Sequence, residues 1–228
     1  MKIDLLERPA LVIGSPGAIA TGVARALADN GARLTRARYT GSDRKLTAND
    51  PTSAELVASG EPSSQAVAFG SPWLMVAIHP GAEQPTADAL TPPAPAEWQA
   101  SDLRPLVRAL APSLRRVVIV MSVAGLVPLR TNPGFSLEQA NLATMTRLLA
   151  LKWGRAGVSV NAVALGALAG DDGPISGNLL SHTALRRPAR LDEIVAAVLF
   201  LADPENTYTT GHVINVDGGF AAGYARNF

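Results

Sequence analysis

Short uninterrupted apolar runs alternate along this chain with longer stretches in which apolar positions return every three to four residues. That alternation is the pattern of strands leading into helices, βαβ units wound around a mostly parallel sheet. Strands are predicted at 9–13, 32–37, 73–78, 116–121, 157–163 and 212–216, and helices at about 18–29, 52–59, 99–114, 134–153 and 191–203. The run Val117-Val118-Ile119-Val120-Met121 is apolar at both alternating sets of positions, as a strand covered on both faces must be. The Pro-rich stretch 84–95 can continue neither strand nor helix and reads as a loop. No internal repeat or linker marks a second unit, so the expectation is one α/β domain over residues 1–228, a doubly wound parallel sheet flanked by helices.

Composition narrows the class. A chain of 228 residues that is 47% hydrophobic, with a net charge of +1, can bury one large core. Without cysteine it has neither disulfides nor thiolate metal sites. His79, His182 and His212 are scattered without metal-ligand spacing, and no metal is expected. The near-neutral charge and the lack of interleaved aromatic and basic residues argue against a nucleic-acid partner. The start, Met1 to Arg8, carries acidic residues and no long apolar run, unlike a signal peptide. No stretch reaches the roughly 20 apolar residues of a membrane helix, and a soluble, cytoplasmic protein is expected.

Four stretches follow one another at a recognisable spacing: Val117-Val118-Ile119-Val120-Met121-Ser122-Val123-Ala124-Gly125, then Gly157-Val158-Ser159-Val160-Asn161-Ala162-Val163-Ala164, then Asp192-Glu193-Ile194 through Phe200-Leu201-Ala202, then Thr210-Gly211 and Asn215-Val216-Asp217-Gly218-Gly219. In order and spacing the chain resembles the short-chain dehydrogenase/reductase family, and within it the ketoacyl-carrier-protein reductase branch. The resemblance runs from Ala10-Leu11-Val12-Ile13-Gly14 to Gly219 and implies a Rossmann-like fold.

It also implies where the chemistry should sit. In that family a Ser is followed thirteen residues later by a Tyr and four after that by a Lys; here those positions hold Ser122, Phe135 and Gln139. Carbonyl reduction in the family needs the Tyr hydroxyl as proton donor, the Lys ammonium to lower its pKa, and the Ser to hydrogen-bond the substrate oxygen. Phe135 has no proton to give, and Gln139 carries no charge to stabilise a phenolate. The other tyrosines are Tyr39, Tyr208 and Tyr224 and the lysines Lys2, Lys45 and Lys152; Lys152 lies roughly 20 Å along a helix from Gln139, out of reach. Rescue by Tyr208 or Tyr224 from elsewhere in the fold stays open. The family's fourth member, an Asn in the preceding helix, has no match in 101–108, and Ser122 alone has no base beside it to make it a nucleophile.

The cofactor end departs from the pattern too. The family spaces three glycines as G-x-x-x-G-x-G at the first helix's N-terminus, where the backbone meets the pyrophosphate. Here Gly14 matches, Ala18 and Ala20 replace the other two, Pro16 removes a backbone donor, and Gly17 is displaced by one residue. At the adenine-binding Asp the alignment gives Thr47, with Asp50 nearby, and the family's Asn-Asn-Ala-Gly is replaced by Ala77-Ile78-His79-Pro80-Gly81. Arg36 and Arg38 after the second strand suit either an NADP 2′-phosphate or a solvated strand end. No dinucleotide is therefore expected on this chain. His79 keeps a minor interest because its loop would border the vacated cleft. Arg186, Arg187 and Arg190, and Arg115-Arg116, suit either a solvated face or the phosphates of coenzyme A and an acidic carrier protein.

What such a resemblance implies is a silent subunit. Helices near 99–114 and 134–153 and the pair 191–216 match what relatives use to build tetramers, and a patch of this kind can accept a related subunit. The chain is similar in kind to the silent subunit of heteromeric hydroxyacyl-CoA dehydrogenases such as that of the benzylsuccinate pathway. The expected partner is an intact dehydrogenase subunit in a heterotetramer, holding NAD(P) and an acyl-CoA thioester, of which (hydroxybenzyl)succinyl-CoA in anaerobic toluene degradation is one instance. The tail 221–228 would reach that partner's site. Two alternatives stand beside this reading: a ligand-binding or sensor protein on a reductase fold, and an active dehydrogenase with a displaced proton donor.

Overall fold

Eight strands form a single sheet in the order β4-β3-β2-β1-β5-β6-β7-β8 in this computed structural model, which describes residues 1–15, 17–40, 45–48, 56–57, 71–83, 98–130, 132–170 and 180–223. The strands are β1 (Pro9–Ile13), β2 (Arg33–Thr40), β3 (Lys45–Ala48), β4 (Leu56–Val57), β5 (Leu74–Ile78), β6 (Arg116–Ser122), β7 (Ser159–Leu165) and β8 (Val213–Val216). The helices are α1 (Ala18–Asp29), α2 (Pro80–Glu83), α3 (Ala100–Leu110), α4 (Pro133–Trp153) and α5 (Leu191–Ala202). From β2 to β8 every neighbouring pair is parallel, so the sheet is the expected doubly wound, Rossmann-like one.

Strand β6 shows why the apolar run had to be a central strand. Val117, Ile119 and Met121 enter one core cluster with helices α3 and α4, while Val118 and Val120 enter the other with α1 and α5. Successive side chains of a strand point to opposite faces, so a sheet covered on both sides needs apolar residues at every position. All seven residues of β6 are buried. Each aliphatic side chain so placed contributes roughly 1.5–3 kcal/mol relative to exposure.

Helix α4 begins where Asn132 accepts a hydrogen bond from the Phe135 N–H at 3.0 Å and Pro133 occupies the first turn, where its missing N–H costs nothing. After β8 the chain turns through Gly218 and Gly219 in left-handed backbone, φ 62 and 91. Asp217 holds the turn by accepting from the N–H groups of Gly219 and Ala221 at 2.9 and 2.8 Å.

The structure corrects two expectations. Residues 56–57, placed in a helix at 52–59, form β4, and β3 and β4 are antiparallel additions outside β2. A short helical pattern loses here to the unpaired backbone groups of the β2 edge, which Lys45–Ala48 then covers. Strand β2 runs on to Thr40, so Arg36 and Arg38 lie within it rather than after it. The loop assigned to 84–95 and the rest of 52–59 lie outside the described residues.

Candidate functional site

The positions that the family reserves for its chemistry come together at the carboxyl end of β6. Ser122 ends that strand, 8% exposed, with its Oγ accepting from the Ala124 N–H at 3.2 Å. Helix α4 passes beside it because Gly125, in the turn after Ser122, lets the helix backbone approach: a Cβ there would stand 2.4 Å from the Gln139 carbonyl carbon. Gln139 is wholly buried, and its Oε1 accepts from the Ser122 N–H at 2.8 Å.

The other end of the Gln139 amide meets His79, just past β5. Gln139 Nε2 lies 3.0 Å from His79 Nδ1, and the Gly81 N–H points at the same nitrogen from 3.1 Å. Two donors converge on Nδ1, so that nitrogen is bare and the ring proton sits on Nε2. Burial alone lowers the His79 pKa to about 4, which keeps the ring neutral near pH 7. Nε2 is buried with no hydrogen-bond partner; the nearest carboxylate, Glu138 Oε1, is 3.9 Å away and accepts from the Ala100 N–H at 2.8 Å, at the start of α3. Trp98 meets the imidazole edge-on at 5.2 Å.

Phe135 completes the enclosure. It is 5% exposed, and its ring lies so near Gly81 that a Cβ there would come 2.4 Å from Phe135 Cε2 and 3.2 Å from His79 Nδ1. The cluster contains no phenol and no ammonium. An amide bridges a backbone N–H to a neutral imidazole, and of these polar groups only His79 Nε2 is left without a partner. Glu138 and Trp98 had no signal in the sequence, since the cluster joins segments far apart in the chain: Glu138 bonds Ala100 across 38 residues, and Gln139 meets His79 across 60.

The remaining tyrosine and lysine candidates are placed elsewhere or lie outside the described side chains. Tyr208 is fully exposed, and its neighbours Thr209 and Thr210 bond Asn161 and Val160 at the amino end of β7, whereas Ser122 pairs with Leu165 at the other end. At about 3.3 Å per residue, that separation exceeds 10 Å. Lys152 Nζ sits 5.7 Å from the Trp153 ring. The side chain of Tyr39 and residue Tyr224 are not among those described.

At the cofactor end, Gly14 lies hard against β5: a Cβ on it would be 3.1 Å from Ile78 Cβ and 3.3 Å from the Ile78 carbonyl oxygen. Ala20 is buried beside it, and Ala18 is exposed. Gly17 caps α1 with an extended backbone, φ −161, that any residue could adopt. Pro16 and Asp50 lie outside the described residues, and Thr47 is in β3, paired with Arg38.

The arginines near α5 are engaged locally. Arg187 forks onto Glu193 at 2.9 and 2.7 Å, and Arg190 onto Asp192 at 3.0 and 3.3 Å. His182 bonds Ser181 Oγ at 2.8 Å. Among the described residues no cluster of three or more His, Asp or Glu side chains could hold a metal ion, and no helix is long and apolar enough to cross a membrane.

Residues 102–221 match the model of the family described as enoyl-(acyl carrier protein) reductase. The match takes in more than half of the chain, which belongs to the short-chain dehydrogenase/reductase superfamily. The chain is 28% identical over 244 aligned positions to the cis-4-hydroxycyclohexanecarboxylate dehydrogenase of Sinomonas cyclohexanicum, covering 95% of this chain and 97% of that one. It is 34% identical over 110 residues to the glucose 1-dehydrogenase of Gluconobacter oxydans, a match spanning 45% of this chain and 41% of that enzyme. It is likewise 36% identical over 110 residues to the 3-oxoacyl-[acyl-carrier-protein] reductase of Synechocystis, covering 46% and 43%. The last two relatives are thus matched over less than half their length. A crystal structure of a putative short-chain alcohol dehydrogenase from Sinorhizobium meliloti superposes with a TM-score of 0.73 at 21% identity, covering 96% of this chain and 98% of that one. At that identity the likeness shows the fold.

Proposed function

We propose that this chain, one domain over residues 1–228, is a catalytically silent subunit of a cytoplasmic, hetero-oligomeric NAD(P)-dependent short-chain dehydrogenase. Its partner is an intact subunit of the same superfamily, which holds the nicotinamide cofactor and acts on a hydroxyacyl or ketoacyl thioester, (hydroxybenzyl)succinyl-CoA being one candidate. The observation that carries the reading is Gln139. Where the family resemblance expects an ammonium, a fully buried amide is committed to Ser122 and His79, and the adjoining Phe135 has no proton to donate. Ala18 and Ala20, standing where the family has its second and third glycines, support the absence of a dinucleotide on this chain.

A surface suited to a partner supports the rest. Helix α4 exposes Leu137, Leu148 and Leu151, 67%, 54% and 81% accessible, along one side at helical spacing. The test is purification of the native complex followed by assay of this chain alone and with its companion. A near-stoichiometric companion of similar mass bearing Tyr-x-x-x-Lys, with turnover only when that companion is present, is the expected result. Nicotinamide-dependent turnover by this chain alone overturns it.

One observation favours a ligand-binding role instead. A pocket of about 460 Å³ opens beyond β7 and β8, lined by Thr183, Leu185, Arg187, Glu193, Asp217 and Gly219 among others, and it is within the size range of small-molecule sites. Thermal stabilisation of the isolated chain by an acyl thioester or a nucleotide would select this second reading.

A further inference from the structure

At the amino edge of the sheet, about 20 Å along β6 from Ser122, two arginines flank one tryptophan. Trp73 precedes β5, and the strand order sets Arg8, just before β1, on one side of it and Arg116, the first residue of β6, on the other. The Arg8 guanidinium carbon is 4.7 Å from the indole centroid and that of Arg116 is 5.3 Å away. Stacking of this kind holds a guanidinium by its face and leaves its N–H edge free to bond.

The edges are incompletely used. Arg116 is 8% exposed; its Nη1 donates to the Arg115 carbonyl at 3.2 Å and its Nη2 to the Pro204 carbonyl at 3.3 Å, but its Nε is buried without a partner. Arg8 Nη1 is also buried without a partner. Neither guanidinium forms an ion pair with a carboxylate among the described residues. Burial, and then the neighbouring Arg8, lower the Arg116 pKa, and the Asp203 carboxylate opposes them. Two like charges beside one ring, each with a desolvated donor unpaired, are costly unless an anion joins them. Arg33 and Arg115 add exposed positive charge at the same edge, and Arg8 is only half-buried.

We propose that Arg8, Trp73 and Arg116 form a binding site for a small oxoanion, with phosphate as its simplest ligand, whose oxygens accept from Arg8 Nη1 and Arg116 Nε. The site is separate from the Ser122 cluster, and it stands whether or not the chain is catalytically silent.

The test uses the full chain and inorganic phosphate, followed by thermal melts and isothermal titration, with sodium chloride at matched ionic strength as control. Phosphate is expected to bind saturably and, at ten times its dissociation constant, to raise the melting temperature by about 3–5 °C beyond the chloride control. Arg8→Gln, at the half-buried partner, is expected to keep the fold and abolish the response. Arg8→Lys, which keeps the charge but loses the planar fork, is expected to weaken binding at least several-fold. An equal shift from chloride, or an undiminished phosphate response in Arg8→Gln, overturns the proposal. If Arg116→Gln folds, retained binding in that variant overturns it as well.

Discussion

Gln139 Nε2 stands 3.0 Å from His79 Nδ1 across 60 residues of sequence, and the same amide accepts the Ser122 N–H at 2.8 Å. A side chain from α4 thus ties the ends of β5 and β6 together at the point where the family resemblance expects a charged lysine. The tie is made of neutral groups, and both ends of this amide are committed to it.

Truncating that amide exposes its structural weight. Gln139→Ala removes the partner of the Ser122 N–H and of His79 Nδ1 and leaves a cavity in a fully buried position. A loss of about 2–4 kcal/mol is expected, seen as a lower denaturant midpoint with an unchanged m-value. Stability within 0.5 kcal/mol of wild type, roughly the scale of a surface change, would show that the bridge is not made.

Restoring the family pair should not restore chemistry. In Phe135→Tyr/Gln139→Lys the ammonium replaces a buried amide and the Ser122 N–H loses its acceptor, while Ala18 and Ala20 still stand at the family's glycine positions. The double variant is expected to be less stable than wild type by at least about 2 kcal/mol. It is also expected to show no NADH oxidation with ketoacyl substrates. Turnover in a steady-state assay would mean that only the donor was missing.

Acid should weaken the fold through His79. Its pKa falls from 6.5 in the unfolded chain to about 4 in the folded one, so the unfolded chain binds more protons between those values and stability rises with pH across that window. The full contribution is present above about pH 6.5 and is lost as pH falls towards 4, with a magnitude of about 3 kcal/mol. Denaturant melts from pH 7.5 to 4.5 should show this slope in wild type and a flatter one in His79→Gln. Glu193, held down to about 2 chiefly by its hydrogen bond from Arg187, acts only in the more acidic range below its ordinary 4.5. An unchanged slope in His79→Gln would assign the acid sensitivity to other groups.

The packing of α4 against the neighbouring loops can be probed at two glycines. A Cβ at Gly125 meets the Gln139 backbone at 2.4 Å, which no rotamer change relieves, whereas at Gly81 it meets the Phe135 ring. Gly125→Ala should cost about 3 kcal/mol or more and Gly81→Ala about 1–3 kcal/mol. Phe135→Leu should recover part of the Gly81→Ala loss, and a double-mutant cycle showing no coupling between the two would contradict the contact.

The exposed face of α4 bears on assembly. Leu148→Arg changes a side chain that is 54% exposed and should shift the stability of the chain by under about 0.5 kcal/mol. If α4 meets a partner, the same change should release the companion subunit in size-exclusion chromatography. Retention of the complex would place the partner elsewhere.

The apolar runs of β1, β5, β6 and β7 were enough to place the centre of the sheet, because parallel strands buried on both faces need nearly continuous hydrophobic sequence. Helix α1 was legible to the residue, its apolar positions recurring over Ala18–Asp29. The absence of a tyrosine and a lysine at 135 and 139 was equally plain from the sequence. Only the tertiary structure decided that residues 56–57 are a strand, because that pairing depends on the β2 edge and not on local propensity. Only it revealed that His79, Glu138 and Trp98 gather around Gln139, and that Arg8 and Arg116 meet on Trp73, since burial and unpaired hydrogen bonds belong to the packed chain and have no counterpart in sequence spacing.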